Sequence, residues 1–209
     1  APLLTQKDSI DLYKIITENK VLLISLDTQS FAVESLRLGR MLLADLRFCS
    51  GQIIKNFEPS KRPKFASVVD EFSELVSTRE MGQRFSGFLG KARGSGIGVV
   101  MAHQSLGDFG DPLVGKQILD NTESLFSFVQ KDPESCDILA SVAGTRESVK
   151  KTVQTERRGL FEQKTGSGSE RDVHEFRVSP NVFRDLNVGE AVYIAKKPSR
   201  HGIVSVFYG

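Results

Sequence analysis

The chain has 209 residues, 39% of them hydrophobic and 26% charged, an ordinary balance for one large or two small globular domains with a real core. Its net charge of +2 excludes a surface that is basic all over, so any contact with nucleic acid rests on local patches. No stretch approaches the roughly 20 apolar residues of a membrane-spanning helix.

The opening APLLTQKDS has neither an initiating Met nor the basic-then-apolar order of a signal peptide. A piece of a longer protein is expected. Thr5–Glu18 places Ile10, Leu12, Tyr13 and Ile16 at helical spacing, with Asp8 or Ser9 as the cap. Val21–Leu26, VLLISL, is continuously apolar and ends at Asp27, which predicts a strand covered on both faces. Gln29–Phe48 predicts a long amphipathic helix with Phe31, Leu36, Leu38, Met41, Leu42 and Leu46 facing the core. Ser50–Pro63 is a basic, proline-bearing connection.

The stretch Lys64–Leu75, KFASVVDEFSEL, is the centre of the chain. The apolar run Phe65–Val69 stops abruptly at two acids, Asp70 and Glu71, and predicts a buried strand that passes straight into a helix over Phe72–Leu89. A carboxylate at such a strand end can serve a bound Mg²⁺, and a second can activate water. Acids also open helices for a plainer reason: they suit the positive end of the helix dipole.

Lys91–Gly98, KARGSGIG, predicts a glycine-rich turn, and Val99–His103 a second apolar strand ended by Gln104. A loop follows, then a short helix over Lys116–Asn121. Ser124–Gln130 alternates as a strand does. Asp132–Val142 carries an Asp cap, Pro133 in the first turn and Gly144 just past the end, a complete set of helix boundary signals. Alternating strands and helices predict an α/β protein with a mainly parallel sheet, whose ligands lie at the strand carboxyl ends. Asp27, Asp70, Glu71 and Gln104 all fall there.

Beyond Gly144 the chain turns polar and basic. Thr145–Arg158 carries Arg146, Lys150, Lys151, Arg157 and Arg158 against Glu147 and Glu156, and Thr165–Glu170, TGSGSE, predicts a flexible loop. Val173–Val178, Ala191–Ala195 and Ile203–Tyr208 predict antiparallel strands, with a short helix over Ser179–Leu186. The chain therefore divides into an αβ core, 1–144, and a polar loop with terminal strands, 145–209.

The two cysteines, Cys49 and Cys136, lack metal spacing and are expected as reduced, buried thiols of a cytosolic protein. Three His residues without an HExxH or CxxC pattern argue against a metal cluster. Gly110–Gln117, GDPLVGKQ, matches GxxxxGK but lacks the Ser or Thr that holds Mg²⁺, and Asp111 and Pro112 are poor residues for a phosphate cradle. Gly94–Gly98 precedes its strand, the wrong order for a dinucleotide loop.

VVDEFSEL, then KARGSGIGVVMAHQSL, then ILDNTESLFSFVQKDPESCDILASVAGTR and finally VSPNVFRDLNVGEAVYIAKKP form an ordered set. That set resembles the conjugative coupling proteins of type IV secretion, the TraD/TraG family. More broadly it is similar to the FtsK/HerA group of hexameric DNA-pumping ATPases. The resemblance runs from about Val21 to near the C-terminus. It implies a RecA-like P-loop NTPase core with antiparallel strands at the C-terminal end. The phosphate-loop half and the membrane anchor would lie upstream.

The resemblance implies ATP and Mg²⁺ as cofactors. Asp70 corresponds to the Mg²⁺-associated carboxylate of the second acidic motif (Walker B), acting through water, and Glu71 to the base that orients the attacking water. Gln104 corresponds to the polar residue that senses the γ-phosphate, and Arg93 to the arginine inserted into the next subunit's site. Arg79, Arg84 and Arg146 are alternatives to Arg93. Implied partners are DNA held without sequence preference, relaxase and relaxosome proteins, the secretion channel and further copies in a hexamer. The implied location is the bacterial cytoplasm, at the cytoplasmic face of the inner membrane. Lys61, Arg62, Lys64 and Arg146–Arg158 are the candidate DNA contacts. Two other readings stand beside this one: a docking module without chemistry, and a translocase outside conjugation.

Overall fold

The structure is a computed structural model that describes residues 10–28, 30–109, 111–158 and 161–207, with side chains described outside 149–173. The chain forms two compact units, Ala1–Thr122 and Glu123–Gly209. The strand after Glu123 and the Asp132-capped helix thus group with the terminal strands.

In the first unit, α1 (Leu12–Thr17) buries Leu12 and Ile16. Its cap is Asp11, whose Oδ1 accepts a hydrogen bond from Lys14 N at 3.0 Å. The expected caps Asp8 and Ser9 lie outside the described residues. Val21–Leu26 is not a strand. It runs without a strand partner among the described residues, and Val21 and Leu23 are 97% and 92% exposed. Apolar composition alone does not make a strand; a ladder partner must satisfy its backbone groups.

The next helix, α2 (Ala32–Asn56), runs through the expected connection, because Cys49, Ser50 and Ile53 continue its buried stripe. That stripe includes Ser35, Gly39 and Leu46, whereas Phe31 and Met41 face outward. A 3₁₀ turn, Pro59–Lys61, follows. Arg62 then caps exposed carbonyls, donating to Phe57 O at 3.3 Å and Gly94 O at 2.6 Å.

Strand β1 (Phe65–Val69) pairs in parallel with β2 (Ile97–Met101), from Phe65↔Ile97 to Val69↔Met101. Between them lie two helices, α3 (Phe72–Leu75) and α4 (Arg79–Ser95), where one was expected. The break has one local and one tertiary cause. Thr78 is extended and caps α4 by accepting from Met81 N, while Arg40 donates to Glu74 O and Leu75 O at the end of α3. The expected glycine-rich turn is helical as far as Ser95, and only Gly96, with φ +81°, turns the chain into β2.

Phe72 anchors the core, with its ring 4.5 Å from that of Phe85 and 6.4 Å from that of Phe109. One sheet face packs inward through Phe65, Val69, Val99 and Met101. On the other face Val68 and Val100 are 74% and 56% exposed. After a 3₁₀ turn, Leu106–Phe109, α5 (Pro112–Asp120) starts earlier than expected, because Asp111 accepts from Leu113 N and Pro112 opens the first turn.

The second unit contains a sheet in the order β3 (Ser124–Ser127), β6 (Glu190–Ala195), β7 (Arg200–Ser205), antiparallel throughout. Helix α6 (Pro133–Ala143) has the expected boundaries, with Asp132 Oδ2 accepting from Ser135 N at 2.9 Å and Gly144 at φ +88°. The α7 helix (Pro180–Arg184), capped by Ser179, buries Phe183.

The region expected as polar loop differs most. Thr145–Arg158 and Phe161–Phe176 are strands β4 and β5 of one long antiparallel hairpin. TGSGSE lies within the β5 ladder, where Gly168 pairs with Val153 and Ser169 with Thr152. Main-chain pairing holds such a ribbon whatever its composition, so hydropathy does not reveal it.

Candidate functional site

The carboxyl ends of β1 and β2 bring three of the four sequence-predicted residues to one rim. Asp70 follows β1 directly and its Oδ1 accepts a hydrogen bond from Glu71 N at 3.0 Å. Glu71 adopts φ +47°, ψ +41°, the left-handed region that a Glu rarely enters. This turn is held from both sides: Ala102 N donates to Val69 O, and Phe72 N donates to Ala102 O, each at 2.9 Å. The strand therefore enters α3 through one strained residue, which aims the acid off the rim. Backbone strain of this kind costs about 1–3 kcal/mol and gathers at functional sites.

Gln104 completes the group. Its Nε2 donates to Glu71 Oε1 at 2.8 Å. Asp70, Glu71 and Gln104 are all exposed, so no interior salt bridge occupies the acids. The residues that hold Gln104 in place were not singled out from the sequence. His103 Nδ1 lies 3.1 Å from Ser105 O, and its ring stacks edge-on at 4.7 Å against the buried Phe109. Asp108 Oδ2 accepts from Ser105 N at 2.7 Å. A polar pair at a strand end, HQ, followed by a turn-forming Ser and Asp, was the only available signal.

Arg93 lies elsewhere. It sits in the last turn of α4, exposed, immediately before β2 begins. The strands run five residues from that end to the acid rim, about 16 Å at the usual rise. Within its own chain Arg93 does not join Glu71. Of the alternatives, Arg79 Nε lies 3.6 Å from Asp111, Arg84 pairs with Glu80 at 2.5 Å, and Arg146 lies 4.0 Å from Glu175.

Asp70 fits a hydrated Mg²⁺. One carboxylate oxygen is engaged by backbone, the other is free to hold a metal-bound water, and Mg²⁺ keeps several waters and usually takes only one or two protein carboxylates. No group of three or more metal-binding side chains occurs among the described residues. The GDPLVGK stretch offers no phosphate cradle: Gly110 lies outside the described residues, and the first turn of α5 is occupied by the Asp111 side chain and by Pro112.

Comparison with known proteins rests on shape alone. No protein-family model matches the sequence, and no curated protein matches it significantly. Among solved structures, the bacterial conjugative coupling protein TrwB, unbound, superposes with a TM-score of 0.56 at 16% identity, covering 78% of this chain and 36% of that one. TrwB with ADP and Mg²⁺ gives 0.56 at 17% identity, over 84% of this chain and 38% of that one. The chain has the fold of part of the conjugative coupling protein TrwB. This coupling-protein fold also matches the genome packaging NTPase of Sulfolobus turreted icosahedral virus 2, in complex with AMPPCP, at a TM-score of 0.52 and 10% identity over 96% of this chain and 73% of that one. The chain is thus a mixed α/β protein that spans a little over a third of the TrwB chains it matches.

Proposed function

We propose that this chain is the second part of the motor domain of an ATP-driven DNA translocase that delivers DNA and attached relaxase to a type IV secretion channel. The observation that carries the reading is the Gln104–Glu71 hydrogen bond beside Asp70, at the carboxyl ends of two parallel strands. When bound, Mg²⁺ would supply neutralisation of the phosphate charge. Asp70 would hold that ion through a water, using its oxygen that the Glu71 backbone leaves free. Glu71, aimed outward by its left-handed turn, takes a proton from the attacking water. Gln104 orients the Glu71 carboxylate and keeps one amide proton for the γ-phosphate. Arg93, exposed at the other end of β2, serves the site of the next subunit in a hexameric ring. The phosphates are gripped by an upstream part of the protein, which also carries the membrane anchor at the cytoplasmic face of the inner membrane.

The likeness to TrwB bound to ADPNP and to ADP with Mg²⁺ supports the choice of cofactors. A general base contributes about 10²–10⁴-fold to rate. Glu71→Gln in the full-length protein is therefore expected to lower ATP turnover at least a hundredfold, by steady-state phosphate release, while nucleotide binding persists. Turnover near the wild-type rate would overturn the assignment.

A second reading, a translocase outside conjugation, is supported by the likeness to the viral packaging NTPase, most of whose length this chain spans. Plasmid-transfer assays separate the two: under the first reading Glu71→Gln abolishes transfer, and under the second transfer is unaffected.

A further inference from the structure

Helices α2 and α4, with the end of α3, enclose a groove of about 180 Å³. Pockets that hold whole small molecules run about 300–1,000 Å³, so this one suits side-chain anchors and not a complete nucleotide. Its floor is apolar, formed by Leu43, Leu75, Phe85 and Phe88. Its polar rim is of a single sign: the lining includes Arg40, Arg47 and Arg84 and no carboxylate. Arg40 is held in place by Glu74 O, Leu75 O and Ser77 Oγ, none of which neutralises it. Arg47 has no ion-pair partner among the described residues. Arg84 alone shares its charge, with Glu80.

The groove continues onto an open helix face. Met41 and Phe48, on the same side of α2 as the groove residue Ala44, are 56% and 62% exposed. Spaced at i, i+3 and i+7, they form one stripe. An apolar trough walled by two helices and edged with unneutralised arginines is complementary to a helix with an apolar face and acidic flanks.

We propose that the α2–α4 groove is a docking site for an acidic amphipathic helix of a partner protein. The groove lining includes none of Asp70, Glu71 and Gln104, and the inference does not rest on the nucleotide reading. Apolar anchors enter between Leu43 and Phe88, and carboxylates on the flanks meet Arg40 and Arg47. Guanidinium forks favour carboxylate partners because both oxygens can be engaged at once.

The test uses the whole 209-residue chain and a fluorescein-labelled synthetic peptide of about 18 residues, enough for five helical turns. The peptide carries Leu at i, i+3, i+4 and i+7 positions and Glu elsewhere. Fluorescence anisotropy is expected to show micromolar binding that weakens with salt. Arg47→Glu and Ala44→Asp are each expected to weaken it at least about tenfold, and Arg47→Lys by less than about threefold. Both altered positions are exposed on a helix, so far-UV circular dichroism should confirm retained folding. Three results overturn the proposal: no binding, equal binding of a scrambled peptide of the same composition, or affinity unchanged by Arg47→Glu and Ala44→Asp. Sedimentation supplies a fourth. A dimer that Ala44→Asp dissolves would assign the groove to a second copy of this chain.

Discussion

Glu71 shows how one residue can be half legible. Its place beside Asp70 at a strand end follows from the abrupt stop of FASVV, and its proximity to Gln104 follows from two parallel strands ending together. Its left-handed backbone does not follow, since Glu has no preference for that region; tertiary hydrogen bonds to Ala102 impose it. Cys49 was legible as a buried thiol, and burial has a measurable effect there. Desolvation first, then the nearby Asp45 and Asp11 charges, raise its pKa from 9.0 to about 11. Between those values the unfolded chain releases the proton and the folded chain keeps it. Stability from this group is thus fully present below pH 9.0 and lost as pH rises toward about 11. Cys136 shifts the same way, also by burial. Urea unfolding followed across that window should show a falling midpoint, and Cys49→Ala should flatten the fall.

At the scale of elements, legibility tracked local chemistry. Helix α6 has the expected ends because Asp132, Pro133 and Gly144 act through bonds within a few residues. VLLISL and the β4–β5 hairpin were misread because strands depend on distant partners, which hydropathy does not report. Gly82 is a case where two element-level effects compete. Helix propensity favours Ala over Gly by about 1 kcal/mol. A Cβ there, however, would overlap the buried Val114 side chain, where α4 meets α5. Overpacking costs about 1–3 kcal/mol, so sterics prevail. Gly82→Ala is expected to lower the thermal midpoint, and Gly82→Ala with Val114→Ala should lose less than the sum of the two single changes.

On the scale of the whole molecule, the α/β class was legible from alternating strand and helix patterns, and the coupling-protein fold from an ordered set of motifs. The split at Thr122/Glu123 was not, because it depends on which sheet β3 joins, and β3 pairs antiparallel with a strand more than sixty residues later. The low net charge agrees with a protein whose charged contacts are local, such as the arginine-edged groove.

The two-stranded parallel sheet has one further consequence. Among the described residues β1 and β2 each keep a free edge, and Val68 and Val100 stay wet on the outer face, although parallel sheets are normally covered on both sides. Whatever polypeptide supplies an adjoining strand becomes a thermodynamic ligand of this unit. At a hundred times its dissociation constant such a ligand adds about 2.7 kcal/mol. The melting temperature of the 209-residue chain should therefore climb with the concentration of a polypeptide that supplies such a strand, and Val68→Asp should weaken that climb. Folding and strand addition would then be a single titratable equilibrium.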